Sequence, residues 1–193
     1  NPRVTAHTVK ELIPLAKSEP GKVKFGSSGI GSSGHLAAVM LESLTGIKLL
    51  HIPYKGTAPA ITDLVGGRIN MMIDNIPSYV ELAKAGKVRP LGVSGTTTSP
   101  LFPGVPTIAQ AGVPGYDITI WYAILGPAGL PKEVVEKLST AIQQVVKHPG
   151  MDKKLQAIGS DPMTQTPQEF AAFIRKESEK WGRIVRESGA AEQ

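Results

Sequence analysis

The residues most able to do chemistry lie in a run of glycine and serine between two apolar segments. Residues 25–35 read Phe-Gly-Ser-Ser-Gly-Ile-Gly-Ser-Ser-Gly-His, which places the hydroxyls of Ser27, Ser28, Ser32 and Ser33 close together. In a loop that precedes a helix, hydroxyls and free backbone N–H groups together form a site for an anion. The alternative is that the run only makes a tight turn and caps the helix, which requires one such residue. We interpret it as an anion-binding loop.

Three later loops also carry polar groups directly after predicted strands. Their residues are Tyr54, Lys55, Gly56 and Thr57; Asp74 and Asn75; and Ser94, Gly95 and Thr96. Ligands of open α/β sheets bind at the carboxyl ends of the strands, so we expect all these loops at one edge. A single lysine among neutral donors suits a carboxylate better than a phosphate ester, although Lys55 is equally explained as a solvated surface lysine. Asp74 is expected to accept hydrogen bonds from loop N–H groups.

No set of residues indicates catalysis or metal binding. His35 falls in the first turn of a predicted helix, where a packing or loop-bracing role explains it more simply than catalysis. His7, His51 and His148 are distant from it in the sequence, and we expect no cluster of histidines. The chain has no Cys, so thiol catalysis, disulfides and Cys-based metal sites are excluded. We therefore predict a protein that is not an enzyme and uses no cofactor.

One motif supports an alternative. Gly29, Gly31 and Gly34 match the G-x-G-x-x-G pattern of dinucleotide-binding loops, after a strand and before a helix. That pattern also requires an acidic residue about 20 positions later, at the end of the next strand. Here the corresponding region contains Tyr54 and Lys55 and no acid, although Lys55 could face the extra phosphate of NADP. An NADP-type Rossmann oxidoreductase remains the alternative function.

Alternating strands and helices must position these loops. Hydrophobic patterning and turn residues predict strands at 23–25, 48–52, 68–73 and 88–93, with helices at 33–45, 58–65 and 78–85. This alternation is typical of right-handed βαβ units and a mostly parallel sheet. A further helix is predicted to begin at a capping box formed by Thr8 and Glu11.

The second half of the chain follows a different pattern. Residues 100–115 are rich in Pro and Gly, with one short helix predicted at 107–111, and residues 116–125 form the most β-prone run in the chain. Helices are predicted at about 132–147 and 150–158, and a last one begins at a capping box of Thr166 and Glu169 and ends near residue 188. We predict an α/β domain at 1–119 and a segment at 120–193 that cannot bury its apolar stripes alone.

Composition restricts the class of ligand. The 193 residues include 41% hydrophobic residues and carry a net charge of +5, which mildly favours small anionic ligands. Lysine and arginine are scattered and aromatic residues are few, so a nucleic-acid partner is not expected.

No apolar run reaches the roughly 18 residues that a membrane helix needs. The chain begins at Asn1, and we expect that it has been processed or cut.

A family resemblance extends over the whole chain, with its motifs in the family's order. They are residues 25–36, 51–60 (His-Ile-Pro-Tyr-Lys-Gly-Thr-Ala-Pro-Ala), 63–67 (Asp-Leu-Val-Gly-Gly), 74–75, 86–89 (Gly-Lys-Val-Arg), 105–112 (Val-Pro-Thr-Ile-Ala-Gln-Ala-Gly), Trp121, and 126–131 (Gly-Pro-Ala-Gly-Leu-Pro). Together they resemble the substrate-binding proteins of tripartite tricarboxylate transporters, the Bug or TctC-like periplasmic receptors.

The resemblance implies an α/β fold of the periplasmic binding protein type II, with a parallel-rich sheet flanked by helices and two domains around a cleft. It also implies a periplasmic receptor that captures a small carboxylated solute and delivers it to membrane permease subunits. The solute would be a di- or tricarboxylate, an acidic amino acid or an aromatic acid. In that family an N-terminal segment completes the second domain, and we expect that this chain lacks it.

The family's ligand-binding positions coincide with the loops chosen above. The complete set of candidate ligand-binding residues is Ser27, Ser28, Gly29, Ser32, Ser33, His35, Tyr54, Lys55, Gly56, Asp74 and Asn75.

Overall fold

The structure is a computed structural model that describes residues 1–188. Its elements are α1 (Val9–Ser18), β1 (Lys24–Ser27), α2 (Ser33–Thr45), β2 (Leu50–Pro53), α3 (Thr57–Gly66), β3 (Met71–Met72), a 3-10 turn (Ile76–Tyr79), α4 (Val80–Lys84), α5 (Lys132–Val146), α6 (Pro149–Ala157) and α7 (Pro167–Ser188). The chain divides into two units, one containing Asn1–Ile120 and the end of α7 from Ile184, the other Trp121–Arg183. No helix among the described residues is both long enough and apolar enough to cross a membrane.

The sheet of the first unit has three parallel strands in the order β2-β1-β3. Phe25 of β1 lies opposite His51 of β2 on one side and Met71 of β3 on the other. Helices connect the strands, as βαβ units require. The prediction of an α/β fold with a parallel sheet is confirmed.

Local capping explains why several helices begin and end where the sequence predicts. The Thr8 hydroxyl accepts a hydrogen bond from the backbone N–H of Glu11 at the start of α1. Gly46 ends α2 in the left-handed conformation, with φ of 70°, which glycine adopts without steric cost. At α7 the predicted capping box forms, since Thr166 N–H donates to the Glu169 carboxylate at 2.8 Å.

The core of the first unit lies between the sheet and its helices. Tyr116, Phe25 and Ile47 are its largest fully buried side chains, and a second cluster of Leu64, Ile69 and Val88 lies beneath α3 and α4. Tyr116 lies far from α2 in the sequence, yet its hydroxyl donates to the Ala37 carbonyl of that helix at 3.0 Å. Burial raises the pKa of the Tyr116 phenol, which keeps the donor protonated.

We expect Tyr116→Phe to lower the free energy of unfolding by about 1 kcal/mol, because a fully buried hydrogen bond is lost without a change of shape. Chemical denaturation followed by circular dichroism measures this. Tyr122→Phe is the matched control, because Tyr122 is 78% exposed and should change stability by less than about 0.5 kcal/mol. If the two variants lowered the free energy of unfolding equally, the hydrogen bond from Tyr116 to the Ala37 carbonyl would not be stabilising the core.

The predicted fourth strand at 88–93 does not form. Within residues 1–188 its one ladder contact is an isolated parallel bridge between Val93 and Thr107. The predicted third strand, at 68–73, is also reduced to Met71–Met72, which pairs with β1 alone. A groove of about 170 Å³, lined mainly by apolar side chains, lies between these two segments. No strand pairs with β3 on its other side among the described residues, and in the segment at 88–93 Pro90 supplies no N–H group for a ladder.

The first residues of the chain line this groove at Asn1, Val4 and Ala6. Asn1 donates from its α-amino group to the Asn70 carbonyl at 2.7 Å. Burial and the neighbouring Arg89 lower the pKa of that α-amino group. The Arg89 guanidinium in turn donates to the carbonyls of Val4 and Ala6, at 3.3 and 3.2 Å. The segment before α1 is therefore fixed by hydrogen bonds and not by pairing in the sheet.

Two further predictions are wrong. Residues 107–111 make a single turn, closed by the Ala111 N–H to the Thr107 carbonyl at 2.9 Å, because Gly112 follows at once with φ of 105°. Residues 116–125 form no strand, although they have the highest β propensity in the chain. Ile118 donates to the Ser94 carbonyl at 2.8 Å, but no second strand lies beside this run among the described residues. Propensity alone does not form a strand without a partner.

The second unit buries few side chains. An aromatic cluster joins Trp121 to Phe170 and Phe173, with edge-on contacts at centroid distances of 6.0 and 5.4 Å. The apolar stripe of α5 lies exposed at Val134 and Leu138.

Candidate functional site

The loops after β1 and β2 are joined at the carboxyl edge of the sheet. Tyr54 N–H donates to the Ser27 carbonyl at 3.0 Å, and Gly56 N–H donates to the Ser28 carbonyl at 3.1 Å. Gly56 has φ of 105°, a conformation that favours glycine. These two bonds continue the parallel pairing beyond the strands and bring the residues that follow each strand together.

The start of α2 also lies against the end of β3. Gly34 is buried, and a Cβ atom there would overlap the backbone carbonyl oxygen of Ile73. Glycine therefore allows the helix to approach the loop after β3. The three loops that follow β1, β2 and β3 are neighbours as predicted, because the sheet is parallel and β1 lies at its centre.

The four serines of the first loop have two different environments. Ser27 is 1% exposed, and its hydroxyl contacts the Gly29 carbonyl at 3.0 Å and His51 Nε2 at 2.7 Å. The Ser32 hydroxyl caps α2 by accepting from the His35 N–H at 3.3 Å. The Ser27 hydroxyl donates its proton within the protein, whereas the Ser32 hydroxyl accepts and keeps its own proton for a further bond. Both hydroxyls brace the loop.

Ser28 and Ser33 have hydroxyls without a protein partner among the described residues, and Ser33 is exposed. Within residues 1–188 the backbone N–H groups of Ser33 and Gly34 also have no acceptor, as expected for the first turn of a helix. These donors lie at the positive end of α2. Of the predicted anion-binding loop, this is the part that is chemically available.

The expectation that the histidines are unclustered is wrong. His35 and His51 lie in parallel planes with ring centroids 4.1 Å apart, and Phe25 lies 4.6 Å from His51. Parallel pairing sets His51 directly opposite Phe25, and α2 packs back over the sheet, so residues 16 positions apart meet. His35 Nδ1 accepts from the Gly31 N–H at 3.0 Å, which agrees with the loop-bracing interpretation of His35.

Both imidazoles are held neutral by their surroundings. Burial lowers the pKa of His35, and burial together with the neighbouring His35 lowers the pKa of His51 to about 4. His35 is the more buried of the two, with 2% of its surface exposed. His51 was missed from the sequence because its role depends on strand register, which a single chain does not reveal.

The loop after β2 combines one engaged and one exposed polar group. The Tyr54 hydroxyl donates to Asp63 at 2.8 Å, and Asp63 also pairs with Arg68 at 2.7 Å. Burial and this hydrogen bond raise the pKa of Tyr54 to about 12. Lys55 is exposed and forms no ion pair within residues 1–188. Lys55 is therefore the available cation of this edge, while Tyr54 offers its ring and backbone.

The loop after β3 is braced by its own aspartate. Asp74 accepts from the Asn75 N–H at 2.8 Å and from the Tyr79 hydroxyl at 3.0 Å. Burial and Asp74 raise the pKa of Tyr79. This agrees with the predicted structural role of Asp74, whereas Tyr79 gave no signal in the sequence. Asn75 is exposed beside it.

The fourth loop meets the third at the apolar groove, which both Ser94 and Asp74 line. The Ser94 carbonyl accepts from the Ile118 N–H at 2.8 Å. At the end of β2, where a dinucleotide site requires an acid, the structure has Pro53 followed by Tyr54 and Lys55. Nothing in this geometry favours the nucleotide alternative.

The fold, a parallel sheet with polar loops at its carboxyl edge, matches that of solved periplasmic binding proteins. The chain belongs to the family described as tripartite tricarboxylate transporter family receptor, TctC, which matches residues 1–190. The resemblance inferred from the sequence motifs is confirmed, and with it membership in a family of solute-binding receptors.

Several relatives support this assignment. The "UPF0065 protein in tcbD-tcbE intergenic region" of Pseudomonas sp. (strain P51) is 37% identical over 178 residues, which cover 92% of this chain and 53% of that protein. The structure of R. palustris Rpa4515 with adipate superposes with a TM-score of 0.87 at 34% identity, covering 97% of this chain and 62% of the other. The periplasmic binding protein BugD gives a TM-score of 0.84 at 30% identity, with 98% and 64% covered.

This chain therefore spans between about half and two thirds of the length of these three relatives, from 53% for the Pseudomonas protein to 64% for BugD.

Proposed function

We propose that this protein captures a small carboxylate at the loops after β1, β2 and β3 and presents it to a tripartite tricarboxylate-type transporter. The observation that carries the proposal is the set of unpaired donors at the start of α2. The hydroxyls of Ser28 and Ser33 and the N–H groups of Ser33 and Gly34 have no acceptor among the described residues. Donors of this kind at the start of a helix are suited to an anion such as a carboxylate.

The charges at this edge favour a carboxylate. Lys55 is the exposed cation, and the remaining available donors are neutral, which suits one carboxylate group and not the higher charge of a phosphate ester. The related R. palustris protein was solved with adipate, a dicarboxylate. We therefore place one carboxylate of a di- or tricarboxylate, an acidic amino acid or an aromatic acid at Ser28 and Ser33.

The candidate residues then divide into two roles. Ser28, Gly29, Ser33, Lys55, Gly56 and Asn75 would contact the ligand. Ser27, Ser32, His35, Asp74 and the Tyr54 hydroxyl hold these groups in place through the hydrogen bonds described above.

The remaining proposals concern the protein's setting. We propose a periplasmic location and membrane permease subunits as partners, in keeping with the receptor family. We also propose residues 1–119 as the ligand-binding domain and residues 120–193 as a share of a second domain. The division of the chain after Ile120 supports this, although the end of α7 groups with the first unit.

The test is calorimetric titration of the longest natural form of the protein with adipate, citrate, glutamate and benzoate. Ser28→Ala should weaken binding of the best of these about tenfold, the loss of one hydrogen bond to a charged group, and leave the melting temperature unchanged. Ser32→Ala is the matched control. It removes a helix cap and should cost about 1 kcal/mol of stability with a smaller effect on affinity. Normal binding by Ser28→Ala and Ser33→Ala, or binding of none of the four acids, would reject the site.

A further inference from the structure

A chain of contacts runs from β2 to the anion-binding loop that follows β1. His51 Nε2 lies 2.7 Å from the Ser27 hydroxyl, which in turn bonds the Gly29 carbonyl at 3.0 Å and accepts from the Gly29 N–H at 3.2 Å. The His51 ring also stacks on His35, whose Nδ1 accepts from the Gly31 N–H. Two glycines of the loop are thus attached, by separate routes, to the same imidazole.

The protons on these groups can be assigned. The Ser27 hydroxyl has one proton, and if it donates to the Gly29 carbonyl then His51 Nε2 must be the donor to Ser27. The His35 Nδ1 must be unprotonated, because it accepts from Gly31. Both rings satisfy this arrangement as neutral imidazoles with the proton on Nε2.

We propose that His51 is a positioning residue for the anion-binding loop. While both histidine rings are neutral, it holds Gly29 through Ser27 and Gly31 through the stacked His35. The inference rests on the proposed function only in naming a carboxylate as the ligand. The hold on the loop follows from the contacts themselves.

Charging either ring would disturb this arrangement. A proton on His35 Nδ1 removes the acceptor of the Gly31 N–H, and a charged His51 would lie 4.1 Å from His35 in a desolvated site. The groups that face His51 from β1 are Phe25 and Ser27, which carry no charge, and the group from α2 is His35. Among the described residues His35 is the titratable group that acts on the His51 pKa.

The sign of the pH effect follows from the lowered pKa values. A histidine whose pKa is lower in the folded protein stabilises the fold fully above the unfolded value of about 6.5, and this stabilisation is lost as the pH falls. For His51 the loss extends from about pH 6.5 to its folded pKa of about 4. In the folded protein His51 takes up its proton only near pH 4, so the loop should be released there.

The test compares His51→Leu with His51→Gln in the longest natural form of the protein. Leucine keeps the apolar volume but loses the donor to Ser27, whereas the glutamine amide can replace that donor and cannot be protonated. With adipate as the probe at pH 7.5, His51→Leu should weaken binding about tenfold, and His51→Gln should stay within about threefold of the unchanged protein. A merely structural role would lower the melting temperature in both and leave affinity unchanged.

The second readout is independent of any ligand. In NMR spectra recorded from pH 7.5 to 4, the Gly31 amide shift should follow the titration of the His35 and His51 rings. In His51→Leu the Gly29 and Gly31 amides should exchange with solvent about tenfold faster. If adipate does not bind the unchanged protein, the affinity comparison uses whichever of citrate, glutamate and benzoate binds. If none of the four acids binds, the proposed function fails, and the amide measurements still test the positioning role. The positioning role would be overturned if the Gly31 amide shift did not change as the histidine rings titrate and if amide exchange at Gly29 and Gly31 were the same in His51→Leu as in the unchanged protein.

Discussion

Gly34→Ala should lower the free energy of unfolding by about 3 kcal/mol, the largest loss expected from a single methyl group in this protein. The added Cβ overlaps the Ile73 carbonyl oxygen, and a backbone atom at the end of β3 cannot move aside as a side chain can. Helix α2 must therefore shift away from the sheet, and the donors at its start move with it. Denaturant unfolding measures the stability, and adipate titration should show a loss of at least tenfold in affinity.

Gly66→Ala is the matched control for this substitution. Gly66 is also helical, at the end of α3, and a Cβ there meets no atom within 4 Å. Alanine should raise stability by about 0.5 kcal/mol, because it restricts the unfolded chain without a clash. If the two variants change the free energy of unfolding by the same amount, Gly34 is not needed for the close packing of α2 against β3.

Asp74→Ala should lower the free energy of unfolding by about 2 kcal/mol and weaken ligand binding. The substitution removes the acceptor of both the Asn75 N–H and the half-buried Tyr79 hydroxyl. Hydrogen bonds to a charged group contribute about 1.5–3 kcal/mol, and the partial exposure of Asp74 reduces that figure. Thermal melts and adipate titration of the same variant measure the two effects.

Asp74→Asn separates the charge from the hydrogen bonds. Its amide oxygen can still accept from Asn75, and its NH₂ group can donate to the Tyr79 oxygen, so about half of the lost stability should return. Asp161→Ala, at an exposed aspartate of the second unit, controls for the loss of one negative charge. An Asp74→Ala protein as stable as Asp161→Ala would contradict the bracing role.

The helices could be predicted closely because their signals are local. Residues 33–45 were predicted as a helix and α2 occupies Ser33–Thr45, since Ser32 caps its start and Gly46 ends it. The strands predicted at 88–93 and 116–125 do not form, although residues 116–125 have high β propensity. A strand exists only with a neighbour, and the neighbour is not encoded in the segment itself.

The site was predictable to the level of loops. The rule that parallel strands end at one edge placed the loops after β1, β2 and β3 together. The same rule could not show which serine hydroxyls form hydrogen bonds within the protein. That depends on whether His51 or a helix N–H group lies close to the hydroxyl. Separation in the sequence also concealed the pairing of His35 with His51, which comes from strand register and helix packing.

The unpaired run at 120–125 has a consequence for handling the protein. Its six residues, Ile-Trp-Tyr-Ala-Ile-Leu, contain no charge and no proline, and Tyr122, Ile124 and Leu125 are 78%, 76% and 71% exposed. Such a segment is the signature of cross-β stacking, in which identical strands from many chains supply each other's missing hydrogen bonds. Asp117 precedes the run and Pro127 follows it, and these are the residue types that interrupt growing fibrils. Aggregation of this chain at high concentration would therefore begin at residues 120–125, outside the ligand loops.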